Sequence, residues 1–225
     1  MTEINQIFYA IVVLFACTFG LESFSNLKSK EGIQISRLFF GCSIAVFIVS
    51  SLCWAILPSI DLALQTIAST SLIGSLFLQT LAVRSLNNPV SKKLLICLLV
   101  VLISYGAINE YYRLQNDYFA QVFIITTFIV ISMLWMNYEV GNDAILTSSF
   151  HLRSLFLLSL IEVMIAVFKM FTVLEAPIPS DSYLNGASVE FYAGMSSYCL
   201  LLLNFYLVDG VLFERTLIPS DRELN

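Results

Sequence analysis

The sequence predicts an all-α polytopic membrane protein, a bundle of seven antiparallel transmembrane helices. Three observations carry that prediction. Hydrophobic residues make up 58% of the chain and charged residues 12%, with a mean hydropathy of +0.86, whereas an ordinary soluble domain carries about 25% charged residues. Apolar stretches of roughly 20 residues recur along the whole length, each long enough to cross a hydrocarbon layer about 30 Å thick. The polar interruptions are short, and Pro58, Pro89, Pro177 and Pro179 fall within them, never inside a run.

Taken in order, the first span covers 5–24. Its opening, MTEINQIFYAIVVLFACTFGLESF, has an acidic start and a long apolar run, so it reads as a retained helix and not as a cleaved signal peptide. The next spans are 36–57, 61–83, 93–112, 118–138, 152–174 and 189–212. Turn chemistry marks the connections LNNPVSKK and EAPIPSDSYLNGAS. Short connections place successive helices side by side. Residues 1–212 therefore form the transmembrane domain and 213–225 a short cytoplasmic tail.

Basic residues set the expected orientation. Lys28, Lys30, Arg37, Arg84, Lys92, Lys93, Arg153, Arg215 and Arg222 all fall on one side, while Asp61, Glu110, Asp117, Glu175, Asp181 and Glu190 collect on the other with Arg113. Basic loops are retained in the cytoplasm, which predicts an outside amino terminus and an inside carboxyl terminus. Trp54, Tyr111, Tyr112, Tyr118 and Tyr192 would mark the outer interface, and Trp135 and Tyr138 the inner one. Small-residue strips at Gly41-x-x-x-Ala45, Ser71-x-x-x-Ser75 and Ala193-x-x-x-Ser197 offer close helix contacts.

The candidate site lies in LIEVMIAVFKMF, where Glu162 and Lys169 stand seven residues apart in an oily run. Two helical turns place them on one face, about 10 Å apart along the axis. A charged side chain at the bilayer centre costs at least ~2.5–3.5 kcal/mol, so both should face the bundle interior or a wet cavity. Asn204 and Ser197 on the last span, Gln79 and Thr80 on the third, and Thr126 and Thr127 on the fifth lie at similar depth. Glu162, Lys169, Asn204 and Gln79 form the expected polar core or ligand contact. Its bland alternative is a clamp between helices. Glu22, Glu139 and Asp209 sit near the inner ends of their helices, where water, Lys28 or Arg215 could meet them. They are solvated interface charges or, if they converge, an inner gate with Glu214 and Arg215.

Enzyme chemistry finds little footing. His151 is the one histidine, a metal site wants several convergent ligands, and no H-E-x-x-H, G-x-S-x-G or Walker loop occurs. No catalytic residue, metal or cofactor is expected. Residues 189–212 lack the lysine that a microbial rhodopsin uses to hold retinal. The five cysteines all lie in apolar spans without a C-x-x-C pair and read as small buried hydrophobes. A net charge of −5 argues against nucleic acid.

Three features together give a resemblance: the basic loop LAVRSLNNPVSKKLL, the sixth span HLRSLFLLSLIEVMIAVFKMF with its late basic residue, and the final span YAGMSSYCLLLLNFYLVDGVLFERT running into a charged segment. In this layout the chain resembles the seven-span amino-terminal sensor modules of bacterial diguanylate cyclases and related receptors. The resemblance implies a bacterial inner-membrane receptor-like or partner-binding module, with a cytoplasmic or membrane protein partner and a possible small lipophilic ligand. That family's last helix continues into a coiled coil and an output domain, whereas FERTLIPSDRELN follows here. Ser220 and Glu223 in that tail read as a capping box, too short a start to hold a helix alone. A frayed tail, docking on another chain, or a sensor portion separated from its output is expected. A small-solute or proton-coupled carrier and a structural subunit of a membrane complex remain open as alternatives.

Overall fold

In the computed structural model the described residues are 2–25, 31–56, 63–143, 149–175 and 189–217. They form seven α-helices: α1 (Thr2–Ser25), α2 (Glu31–Ile56), α3 (Ala63–Asn87), α4 (Lys92–Leu114), α5 (Tyr118–Gly141), α6 (Phe150–Glu175) and α7 (Val189–Leu217). Each expected span is helical, and several helices run up to a turn or so beyond their apolar stretch. α2 starts earlier than expected and α7 ends later, because the helical backbone continues where the side chains turn polar. The polar tail from 218 onward, including Ser220, Arg222 and Glu223, lies outside the described residues, as do Lys28, Lys30, Asp61 and Asp181.

Local chemistry closes the tight connections. Ser91 caps α4, its hydroxyl accepting from the Leu94 amide at 3.2 Å, and Asp117 caps α5 by accepting from Ala120 at 3.0 Å. Between α4 and α5 the chain reverses through Asn116, whose φ of 55° lies in the left-handed region that asparagine tolerates better than most residues.

α3 is the hub. It packs against α2, α4, α5 and α7, while α1 lies on α2 and α7, and α6 lies between α5 and α7. Its central position explains why most of α3 is buried, whereas α4 turns most of its surface outward. The outward residues of α4 include Ile96, Leu99, Val100 and Ile103, a face suited to acyl chains. Among the described residues, α2 to α7 are each long and apolar enough to cross a membrane, and α1 contributes a shorter apolar stretch, Gln6–Leu21. The chain is a helical membrane bundle.

Serines hold the hub to its neighbour. Ser36, Ser43 and Ser50 are spaced by seven residues, two helical turns, and so share one face of α2. Ser36 and Ser85 hydroxyls meet at 2.7 Å. Ser43 donates to the Ser75 carbonyl at 2.8 Å and Ser75 returns the bond to the Ser43 carbonyl at 2.9 Å. Ser50 donates to the Ala68 carbonyl at 2.8 Å and meets the Tyr198 hydroxyl of α7 at 3.0 Å. Small hydroxyls allow the backbones to approach closely and satisfy themselves across the interface. Of the small-residue strips expected from the sequence, Ser75 takes part, but Ala45 is exposed, so the Gly41 strip does not mark a contact along its length. The side chain of Ala193 lies outside the described residues.

The Ser36–Ser85 bond also fixes direction, because it sets the start of α2 beside the end of α3. The ends of α3, α5 and α7 gather with the starts of α2 and α6 at one end of the bundle. That end carries Arg37, Arg84, Lys92, Arg153 and Arg215. At the other, Glu110 accepts from Thr66 at 2.5 Å and from Arg113 Nε at 2.7 Å, and Gln65 donates to Gln121 at 3.3 Å.

Candidate functional site

Glu162 occupies the middle of α6 and turns inward, 6% exposed. Opposite it on α7 stands Asn204, 1% exposed, whose Nδ2 lies 2.8 Å from both carboxylate oxygens. A hydrogen bond to a charged group contributes about 1.5–3 kcal/mol, which offsets part of the cost of holding a carboxylate away from water. The Asn204 carbonyl oxygen Oδ1 has no hydrogen-bond partner among the described residues, though it too is buried.

Beside this pair lies a cavity of about 50 Å³ between α3, α5, α6 and α7. Glu162 and Lys169 both line it, together with Thr126, Ser197 and Tyr198 and an apolar wall that includes Leu72, Leu76 and Ile129. The two-turn spacing of Glu162 and Lys169 thus brings both to one chamber. Gln79 is fully buried on α3, yet it does not line the cavity, and neither of its amide atoms has a hydrogen-bond partner among the described residues. Of the other polar groups at this depth, Thr80, Thr126 and Thr127 return their hydroxyls to their own helices, donating to Leu76, Val122 and Phe123.

Two clusters bind the helices at the basic end. In the first, Glu139 of α5 pairs with Arg84 of α3 and accepts from Trp135 Nε1 at 2.8 Å. One turn on, Asp143 accepts from Asn87 Nδ2 at 2.9 Å and pairs with Arg215 of α7, which also donates to Asn87 Oδ1 at 3.2 Å. In the second, Glu214 of α7 accepts from the Ser149 hydroxyl and meets His151 Nδ1, each at 2.5 Å. Ser149 in turn caps α6, its hydroxyl accepting from the Leu152 amide at 3.0 Å.

The structure sorts the expected inner residues. Glu139, Glu214 and Arg215 are brought to one end. Glu139 is buried and not a solvated interface charge, and its basic partner among the described residues is Arg84, not Arg215, while Lys28 lies outside the described residues. Trp135 spends its indole N–H on that carboxylate and stacks edge-on against Phe77, so it is part of the inner packing. Asp209 is half-buried on α7, and the side chain of Glu22 lies outside the described residues. Sequence reasoning missed Asn87, Asp143, Ser149 and the role of His151. A usable signal was there: an acid such as Asp143 on the strongly basic side needs a cationic partner.

Chemically, the arrangement offers a buried carboxylate, an amide able to donate or accept, and an amine on one small chamber, with α7 running from it into the ionic clusters. No group of His, Cys, Asp or Glu able to hold a metal occurs among the described residues, and the five cysteines are free thiols. No protein-family model, curated protein or solved structure matches the chain.

Proposed function

We propose that this helical membrane bundle is a receptor-like sensor module of a bacterial inner membrane, with its amino terminus outside and its carboxyl terminus in the cytoplasm. The concentration of Arg and Lys at the end holding the α7 terminus supports that orientation through the retention of basic loops inside. One observation carries the sensory reading. Asn204, which holds Glu162, and Glu214 and Arg215, which bind the starts and ends of three other helices, belong to the same unbroken helix.

Asn204 and Arg215 are about 16 Å apart along that axis. A change in what Asn204 bonds is therefore felt as a shift or rotation of α7 at its other end. There the Asp143 and Glu214 contacts either hold or yield. A stimulus acts by favouring one packing of α7 over another, with a strength set by its differential affinity for the two. A cytoplasmic or membrane protein partner reads the outcome from the inner ends of α5 and α7.

Spin labels at Asn142 and Phe213, both exposed at that end, test the reading in a background with the five cysteines replaced. In lipid nanodiscs, Glu162→Gln is expected to change the distance distribution between the labels. An unchanged distribution in a folded variant rejects the transmission. Solute uptake by proteoliposomes, with and without a pH gradient, distinguishes a carrier, since a sensor module moves none.

A further inference from the structure

We propose that Glu162 and Asn204 form a proton site with two hydrogen-bonding states, fed by a small water cluster in the adjoining cavity. The inference rests on the reading of this cavity as the sensory site and names its stimulus as a proton, in place of a lipophilic molecule.

Size comes first. A cavity of about 150 Å³ accommodates benzene, and a water claims about 30 Å³ of liquid volume. The chamber here, about 50 Å³, suits one or two waters and is too small for an organic ligand. A buried water requires 2–4 polar partners, and the mostly apolar wall carries a few polar residues. Glu162, Lys169, Thr126 and Ser197 all border the space.

The amide supplies the second state. As a carboxylate, Glu162 accepts from Asn204 Nδ2 at both oxygens. As a carboxylic acid it gains an O–H that requires an acceptor. Asn204 Oδ1 is such an acceptor: it belongs to the same side chain, is buried, and has no hydrogen-bond partner among the described residues. Rotation of the amide about its last torsion exchanges donor for acceptor. A proton arrives on a cavity water as hydronium, passes to a Glu162 oxygen and leaves water behind. Release reverses these steps.

The other ionisable groups facing the chamber are few. Lys169 lines it from α6 and Tyr198 from α7, while α3 presents Leu72 and Leu76, and α5 presents Thr126 and Ile129. Lys169 and Glu162 line the same small space, so uptake of a proton by Glu162 raises the charge there by one.

Infrared difference spectroscopy tests this on the full chain in phosphatidylethanolamine–phosphatidylglycerol vesicles, stepped between about pH 5 and about pH 9, with glutamate labelled at its side-chain carboxyl carbon. The expected result is a protonated-carboxyl C=O band that carries the label and is lost in Glu162→Gln. In Asn204→Leu the band should persist at a moved frequency. Absence of any labelled pH-dependent band in the wild-type chain overturns the proposal, without recourse to a variant. So does a band that survives unchanged in a folded Glu162→Gln protein, and a band unmoved by Asn204→Leu overturns the amide's part. The sensor reading fails separately. A Glu162 band that titrates while the Asn142–Phe213 distance stays fixed over the same range supports the proton site and rejects the transmission.

Discussion

Gly210 and His151 meet across the α6–α7 interface so closely that a Cβ on Gly210 would clash with Cδ2, Nε2 and Cγ of the imidazole ring. The missing side chain is what lets the ring lie against α7 and place Nδ1 on Glu214, one turn further along. Gly210 is a gap with a purpose.

Gly210→Ala should therefore displace His151 and cost about 1–3 kcal/mol, the usual penalty of overpacking. In a His151→Ala background the same change should become stabilising by up to ~1 kcal/mol, because alanine is the better helix former. Thermal or chemical unfolding in detergent of the four proteins reads the reversal of sign.

Asn204→Ala leaves the Glu162 carboxylate without its donor. A loss of about 1.5–3 kcal/mol is expected, the contribution of hydrogen bonds to a charged group. Lys169→Met, by contrast, leaves the Glu162–Asn204 bond in place. Unfolding midpoints of the two variants should differ in that order.

The two ends of the bundle should respond differently to loss of an arginine. Arg215→Ala removes the arginine paired with Asp143, whose side chain is 0% exposed. Removing one partner of a buried pair costs about 3–5 kcal/mol. Arg113→Ala at the opposite end exposes Glu110, whose side chain is already 34% exposed, and should cost less than about 1 kcal/mol. Added salt should lessen the Arg113 effect and leave the Arg215 effect in place.

Ser43→Ala removes one of the reciprocal bonds between α2 and α3 and should cost about 0.6 kcal/mol, typical of a hydrogen bond between membrane helices. Ser43→Leu adds a side chain where the backbones approach and should cost more. Unfolding in detergent again checks the order, which a merely lipid-facing serine would not show.

Hydropathy made the helices readable, since a membrane imposes one length and one composition on every crossing. The inward turn of Glu162 was equally legible, because lipid penalises the alternative. Which residue faced it was less so. Asn204, Gln79, Thr80 and Thr126 share a depth, and depth says nothing of rotation about each helix axis. That rotation comes from packing, which turned Asn204 toward Glu162 and left Gln79 elsewhere. The heptad of Ser36, Ser43 and Ser50 was visible in the sequence, but serine is common in apolar helices and its pattern stood out only beside Ser75 and Ser85. Asp143 and Asn87 escaped for another reason. They lie just past the apolar runs, where polar residues ordinarily meet water, and the convergence of three helix ends is a property of the bundle alone.

The central claim is that α7 joins the Glu162 chamber to the ionic clusters at its far end. A double-mutant cycle between Glu162→Gln and Arg215→Ala, read by reversible unfolding in detergent or bicelles, measures that connection without any partner or ligand. Independent sites this far apart add to within about 0.3–0.5 kcal/mol. Coupling through α7 should give a departure from additivity of about 1 kcal/mol or more, the lower range of allosteric coupling energies. Strict additivity in stably folded variants would contradict the claim.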